Sequence, residues 1–386
     1  MKKSTTKRLP IFLEKTSNVE IAFEVEVPQE LEQDTIWISG NLDVLGSWNG
    51  KGLALKKVAP RLYRGEAPIP QGSLVFYKVT RGSWDQVEVD KNGFDIEDRT
   101  FIAKESRKIH IKVESFAEFG ARAHPSTKDE HVQDLGFFGE KTTGIGRKVE
   151  IHLPPNYATE PQSYPVIYML DGQNLFDAAT AFMGQEWAAD KIHDQLFYEG
   201  LIEPFIIVGI HNTHLRHDFY TPVPDPYLGE GGKLHLLEKM IREEIEPVLV
   251  SDFRIRRGPK NTGIIGSSLG GLAAFHLGWR HPDRYGLIGA MSPSLWWNQY
   301  YTYDMVQEDD GKDEIRRQNL KIWLDMGTRE SQYMHRPLIA VSRLAYLLRK
   351  KKFNVQLYID KDATHSERAW RKRLPEVFQW LLGKSL

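Results

Sequence analysis

The stretch "GIIGSSLGG" (residues 263–271) decides how the second half of the chain is read. It centres a serine in Gly-x-Ser-x-Gly, with Ser268 between Gly266 and Gly270. An apolar run from Thr262 to Ile265 leads in, and a helix-like segment, "GLAAFHLGWRHP", follows. Strand, sharp turn and helix are the setting of a nucleophile elbow. The flanking glycines allow the tight turn and close packing of helix on strand. The serine oxygen then projects above the sheet, near the positive end of the helix. A glycine-rich turn with a capping serine would share these letters, but the flanking strand and helix favour a nucleophile. Ser267 competes locally, and centring favours Ser268.

A serine hydroxyl needs a base. In "YIDKDATHSERAW", His365 stands just beyond an apolar strand and just before a helix, where a catalytic histidine fits. An acid must lie between the two and orient the imidazole. "LKIWLDMGTRES" offers Asp325, inside the apolar run and pointing into sheet packing, and Glu330, in the loop past Gly327. Position favours Glu330. Asp362 is a third choice, on the histidine's own loop. The oxyanion needs backbone donors. Leu269, directly after the serine, is one. Gln173, in the loop "YMLDGQNLFD" where Gly172 permits an unusual backbone, is the other.

Around these residues the chain has two rhythms. "NVEIAFEVEV", "DTIWISG", "RLYRGEAPI", "LVFYKVT" and "KIHIKVES" alternate between turn-rich pieces. That spacing predicts a small all-β sandwich over residues 1–115. Residues 116–140 lack periodicity and read as a linker. Fully apolar runs then alternate with helix-like segments over residues 141–386: "PVIYMLDG", "PFIIVGIH", "TGIIG", "YGLIGAMSP", "LKIWLDMG" and "NVQLYID". The expected fold is α/β, a mostly parallel sheet covered on both faces, with its site at the carboxyl ends of the strands.

Composition narrows the function. The chain has 386 residues, 27% of them charged, and a formal net charge of -1. Neither nucleic acid nor a membrane is an expected partner of so balanced a charge. Cysteine is absent, which removes disulfides and thiolate chemistry. The basic start has no apolar leader run behind it, so a cytoplasmic location is expected. The triplet His211, His214 and His217 invites a metal, but it sits on a loop without a carboxylate or cysteine cluster. No metal and no cofactor is expected.

Residues 141–386 resemble the esterase D and enterochelin-esterase-like group of α/β-hydrolases, which includes feruloyl, acetyl-xylan and siderophore esterases. The matching pieces include "VEIHLPPNY", "PVIYMLDGQNLFD", "GQEWAAD", "GIIGSSLGGLAAFHLGWRHPDRYG", "SPSLWWN", "LDMGTRE" and "DATHSERAW". In that family the acid stands three residues after the glycine of the "GTRE" stretch, which again implies Glu330. The resemblance also implies Trp296 and Trp297 near the acyl or alcohol pocket and Arg216 in the same cleft. Packing for the tryptophans and a surface ion pair for Arg216 are the plainer roles.

Residues 1–115 resemble starch-binding modules, through "ISGNLDVLGSWNGKGLALKK" and "LVFYKVTRGSW". The resemblance implies that Trp48 stacks on a sugar ring and Lys78 bonds sugar hydroxyls of an α-glucan. The family's second stacking tryptophan falls near Val89 here, so Trp84 would have to compensate from the adjacent loop. The expected function is a serine carboxylester hydrolase acting on carbohydrate-linked acetyl or feruloyl esters, its substrate a small molecule or oligosaccharide ester. A siderophore trilactone esterase is the rival within the fold. A carbohydrate-binding scaffold with an inactive hydrolase domain is the rival from another class.

Overall fold

In the computed structural model the described residues run from Ser17 to Lys384, apart from residues 92, 94–95, 97, 118–123, 227–228, 311–312 and 331–335. The side chains of residues 47, 48 and 336 also stand outside the description. The chain divides into two compact units, residues 1–122 and 123–386.

The first unit is all β. Strands β1 (Asn18–Glu26), β2 (Thr35–Gly40), β3 (Leu53–Ala59), β4 (Leu62–Pro70), β5 (Leu74–Thr80), β6 (Arg99–Ile102) and β7 (Arg107–Lys112) join edge to edge in the order β6-β5-β2-β3-β4-β1-β7. Neighbours are antiparallel except β1 and β7. The period of two in β1 puts Val19, Ile21, Phe23 and Val25 into the core, where Phe23 meets Tyr77 edge-on. A short ribbon pairs Glu88–Val89 with Ser115–Phe116.

The second unit is built on eight strands: β8 (Val132–Phe138), β9 (Arg147–His152), β10 (Val166–Leu170), β11 (Ile206–Ile210), β12 (Thr262–Ser267), β13 (Leu287–Met291), β14 (Lys321–Gly327) and β15 (Asn354–Asp360). Their order is β8-β9-β11-β10-β12-β13-β14-β15. The first two pairings are antiparallel and the rest parallel. The six apolar runs are β10 to β15. β10 to β13 are apolar almost throughout because their side chains alternate between two cores. Ile264 belongs to the core on one face, with Leu272, Phe275 and Leu344, and Ile265 to the core on the other, with Leu196, Leu374 and Val377. The covering helices include α1 (Ala189–Tyr198), α2 (Leu269–Arg280), α3 (Arg336–Lys350) and α4 (Glu367–Leu382). Residues 116–140, expected as a linker, contain edge strand β8. A register shift between Asp134 and Gly136 breaks its alternation, which hides it from a reading by period. Among the described residues no helix is long and apolar enough to cross a membrane.

Candidate active site

Ser268 sits on the turn between β12 and α2 with φ 57° and ψ −122°, a backbone that non-glycine residues rarely adopt. Its neighbours explain why the turn can be this tight. A Cβ at Gly266 would lie 2.5 Å from the backbone of Gly270, so glycine alone lets α2 start so close to β12. The turn is fixed from β13, since the Ser268 N–H donates to the Met291 carbonyl at 3.0 Å.

Ser268 begins a chain of hydrogen bonds. Its Oγ lies 2.9 Å from His365 Nε2, and His365 Nδ1 lies 2.8 Å from Glu330 Oε2. His365 comes from the loop between β15 and α4, Glu330 from the loop after β14. Glu330 is 2% exposed, yet its Oε1 is well supplied with donors: Gly327 N–H at 2.6 Å, Ser292 Oγ at 2.7 Å and Arg373 Nη2 at 3.1 Å. Burial works to raise its pKa, but the hydrogen bond and charge of His365, then Arg373 and Ser292, hold it below the ordinary carboxylate range. An ionised Glu330 can only accept, so Nδ1 carries the imidazole proton. Nε2 is then free to take one from Ser268. The arrangement can therefore raise the nucleophilicity of the hydroxyl and stabilise the imidazolium that results.

Asp325, the alternative acid, lies inside β14 and is fully buried. It accepts from the Ser292 N–H at 2.9 Å, the Trp323 indole at 2.7 Å and Arg373 Nη1 at 2.5 Å. Burial pushes its carboxyl up to about 6, against the pull of Arg373. Asp362 stands exposed in a left-handed turn.

Leu269 is the first residue of α2, and Gln173 lies in the single turn Gly172–Asn174 after β10. β10 and β12 are parallel neighbours, so both residues stand at the same end of the sheet. A Cβ at Gly172 would lie 2.7 Å from the carbonyl carbons of Gly209 and Ile210, which accounts for the glycine. The Asn212 N–H donates to Gln173 Oε1 at 3.1 Å and ties the loop to β11. Arg216 braces the same loop. Its guanidinium bonds both oxygens of Asp171, at 2.8 and 2.7 Å, beneath Gln173.

The tryptophans divide. Trp296 is 51% exposed, whereas Trp297 is 1% exposed and gives its indole N–H to the Val223 carbonyl at 2.8 Å. Trp297 packs inside the fold, and Trp296 alone of the two presents its ring to solvent. In the first unit Lys78 is 6% exposed with Nζ 2.6 Å from the Ile96 carbonyl. That bond uses one of the ammonium's three donors. Trp84 is half-buried in a short turn, and the side chain of Trp48 lies outside the described residues.

Ser292, Trp370 and Arg373 went unread in the sequence. Trp370 lies edge-on to the His365 ring at 4.9 Å, and its indole donates to Ser292 Oγ at 3.0 Å. Helical spacing from His365 carries the signal, because residues 369, 370, 373, 374 and 377 share one buried face of α4. Of the histidine triplet, His211 pairs with Glu150 at 2.7 Å and His217 with Glu230 at 2.6 Å. Elsewhere His152, His193 and Asp194 come within metal-holding range. His193 Nε2, however, accepts the Phe205 N–H at 3.1 Å, which leaves Nδ1 as a donor to Asp194 at 2.8 Å. His193 therefore has no lone pair left for an ion.

Comparison with known proteins gives this geometry a context. The family model described as "Putative esterase" matches residues 141–381. The chain is 25% identical over 262 residues to the uncharacterized protein YbbA of Bacillus subtilis, covering 65% of this chain and 98% of that one. It is 23% identical over 257 residues to an endo-1,4-beta-xylanase/feruloyl esterase of Xylanibacter ruminicola, covering 65% of this chain but only 31% of that protein. The enterobactin esterase of Shigella flexneri shares the fold at a TM-score of 0.56 and 16% identity, covering 97% of this chain and 94% of that one.

Proposed function

The chain belongs to the esterase family and is a carboxylic ester hydrolase, and from that premise we propose a mechanism and a substrate class. Ser268 Oγ attacks the ester carbonyl while His365 Nε2 takes its proton. Glu330 holds the imidazolium. The Leu269 and Gln173 N–H groups receive the charge on the carbonyl oxygen. His365 then returns the proton to the departing alcohol, leaving an acyl-enzyme. Water, activated by the same imidazole, releases the acid. The observation that carries this reading is the unbroken chain Ser268–His365–Glu330 on a strained serine turn.

The proposed substrates are acetyl or feruloyl esters of carbohydrates. The likeness to the Xylanibacter ruminicola protein and the exposed ring of Trp296 support this. A glucan on the first unit, held by Trp48 and Trp84, belongs to the same proposal. A second reading is a siderophore trilactone esterase. It is supported by the likeness in fold to the Shigella flexneri enterobactin esterase along nearly the whole chain.

The test is hydrolysis of p-nitrophenyl acetate, methyl ferulate and a catecholate trilactone by the wild type and Ser268→Ala. Turnover that falls at least about a thousandfold in the variant is expected, with ferulate or acetate preferred. Undiminished turnover by Ser268→Ala would sink the nucleophile. Preference for the trilactone would replace the carbohydrate reading with the siderophore one.

A further inference from the structure

We propose that Arg373 is a positioning residue for the reaction, a buried clamp that ties the Glu330 carboxylate to Asp325 and so fixes the acid behind His365. The inference rests on the triad reading above and adds to it a residue outside the triad.

Arg373 lies on α4, eight residues after His365, and is 1% exposed. Its planar fork is spread over three acidic groups from different parts of the sheet's end. Nη1 reaches Asp325 Oδ1 at 2.5 Å, Nη2 reaches Glu330 Oε1 at 3.1 Å, and Nε lies 3.6 Å from Asp360 Oδ2. Nε also donates to the Ala369 carbonyl at 3.2 Å, which stiffens the side chain against its own helix. A guanidinium keeps its charge when buried, and its geometry can serve two carboxylates at once. A lysine ammonium cannot reproduce that fork.

The two oxygens of Glu330 have separate duties. Oε2 faces His365 Nδ1, and Oε1 is gripped by Arg373, Ser292 and the Gly327 N–H. A carboxylate free to rotate would present either oxygen, and glutamate has one more rotor to control than aspartate. Gripping Oε1 leaves a single orientation for Oε2. It thereby fixes the plane and tautomer of the imidazole, on which proton transfer from Ser268 depends. Asp325 holds the other arm of the fork. Its bonds from Trp323 and the Ser292 N–H anchor the clamp to β13 and β14. The charged or titratable groups around Glu330 are thus His365, Arg373 and Asp325, with Asp360 beyond the guanidinium.

The experiment measures kcat, KM, the pH dependence of kcat/KM and thermal stability for Arg373→Lys, Arg373→Met/Asp325→Asn, Glu330→Gln and the triple replacement Glu330→Gln/Arg373→Met/Asp325→Asn. Removing the cation together with Asp325 avoids stranding that carboxylate and keeps the fold testable. The expected result for Arg373→Met/Asp325→Asn is a kcat lower by about 10- to 100-fold with KM within about threefold. This double replacement removes one cation and one carboxylate together and leaves the local net charge unchanged, so the pH profile of kcat/KM should keep its shape while its plateau falls. Arg373→Lys should fall between this variant and the wild type. In the Glu330→Gln background, Arg373→Met/Asp325→Asn should add less than about a threefold loss, because its route of action is already cut. A folded Arg373→Met/Asp325→Asn with kcat within about twofold of wild type, or an undiminished loss from the same pair of replacements on top of Glu330→Gln, would overturn the clamp alone. Wild-type turnover by Glu330→Gln would instead overturn the triad reading on which it rests.

Discussion

Gly266→Ala tests how closely the serine turn is built. A Cβ at this position would sit 2.5 Å from both the carbonyl carbon and oxygen of Gly270, about 0.9 Å inside the 3.4 Å at which ordinary contact begins. Both atoms are backbone in the first turn of α2, so no side chain can swing away. Either α2 slides along the sheet or β12 loosens from β10 and β13. Overpacking of this kind costs about 2–3 kcal/mol. For a unit of this size that is a fall in Tm of roughly 5–10 °C. Activity should suffer more than stability. A slide of about 1 Å carries Ser268 Oγ away from its 2.9 Å contact with His365 Nε2 and moves the Leu269 N–H with it, and misplacement on that scale costs roughly 100-fold in rate. Circular dichroism melting and kcat on p-nitrophenyl butyrate measure the two effects. A variant with Tm within about 2 °C and kcat within about threefold of wild type would refute the reasoning, because the turn would then have slack that these distances deny.

Two further outcomes follow from burial. Asp190 is 1% exposed, and burial pushes its carboxyl up to about 6 from an ordinary 3.8, with the Lys191 N–H and His152 opposing. The folded chain therefore binds this proton more tightly than the unfolded one. Stability is highest below the unfolded pKa, falls as pH rises through the folded one, and carries a constant penalty above it. Asp190→Asn should raise Tm at pH 8 by roughly 3–6 °C and change it little at pH 4; an equal shift at both pH values would show that ionisation is not the cause. Trp296→Ala should raise KM for methyl ferulate about 5- to 10-fold with kcat within about twofold, and an unchanged KM for every ester tried would remove this ring from the pocket.

The legible part of the fold follows from where each strand sits. β10 to β13 are buried on both faces, so their letters form unbroken apolar runs. β1 is buried on one face and alternates. β3 reads "LALKKVA" and is largely exposed, with Leu55 its one fully buried side chain, so neither rhythm appears. β8 has its bulge. Both are held by backbone pairing to neighbours, which side-chain pattern does not record.

The site divides along the same line. Ser268 is legible because its constraint is local: strand, turn and helix are consecutive, and the glycines that permit the turn lie two positions away on either side. Glu330 is legible by chain order, loop position and the resemblance of its "GTRE" stretch, since what orients it comes from elsewhere. Ser292 arrives on a left-handed turn after β13, and Arg373 arrives from α4 inside "ERAWRKRL", where it sits among cations that face solvent. A run of charges reads as a solvated face until helical register is imposed, and register then sends one arginine of the run inward between Ala369, Trp370, Leu374 and Val377. The same arginine explains the ambiguity between the two acids. Asp325 and Glu330 are both buried at the end of β14 and both bonded to one guanidinium, so either could serve as an acid by composition. They differ in the second oxygen: that of Glu330 is turned to His365 Nδ1, and that of Asp325 to the Trp323 indole. The choice between them is therefore made by β14 and its following loop, where a residue inside the strand must satisfy the sheet and a residue beyond Gly327 is free to reach the imidazole.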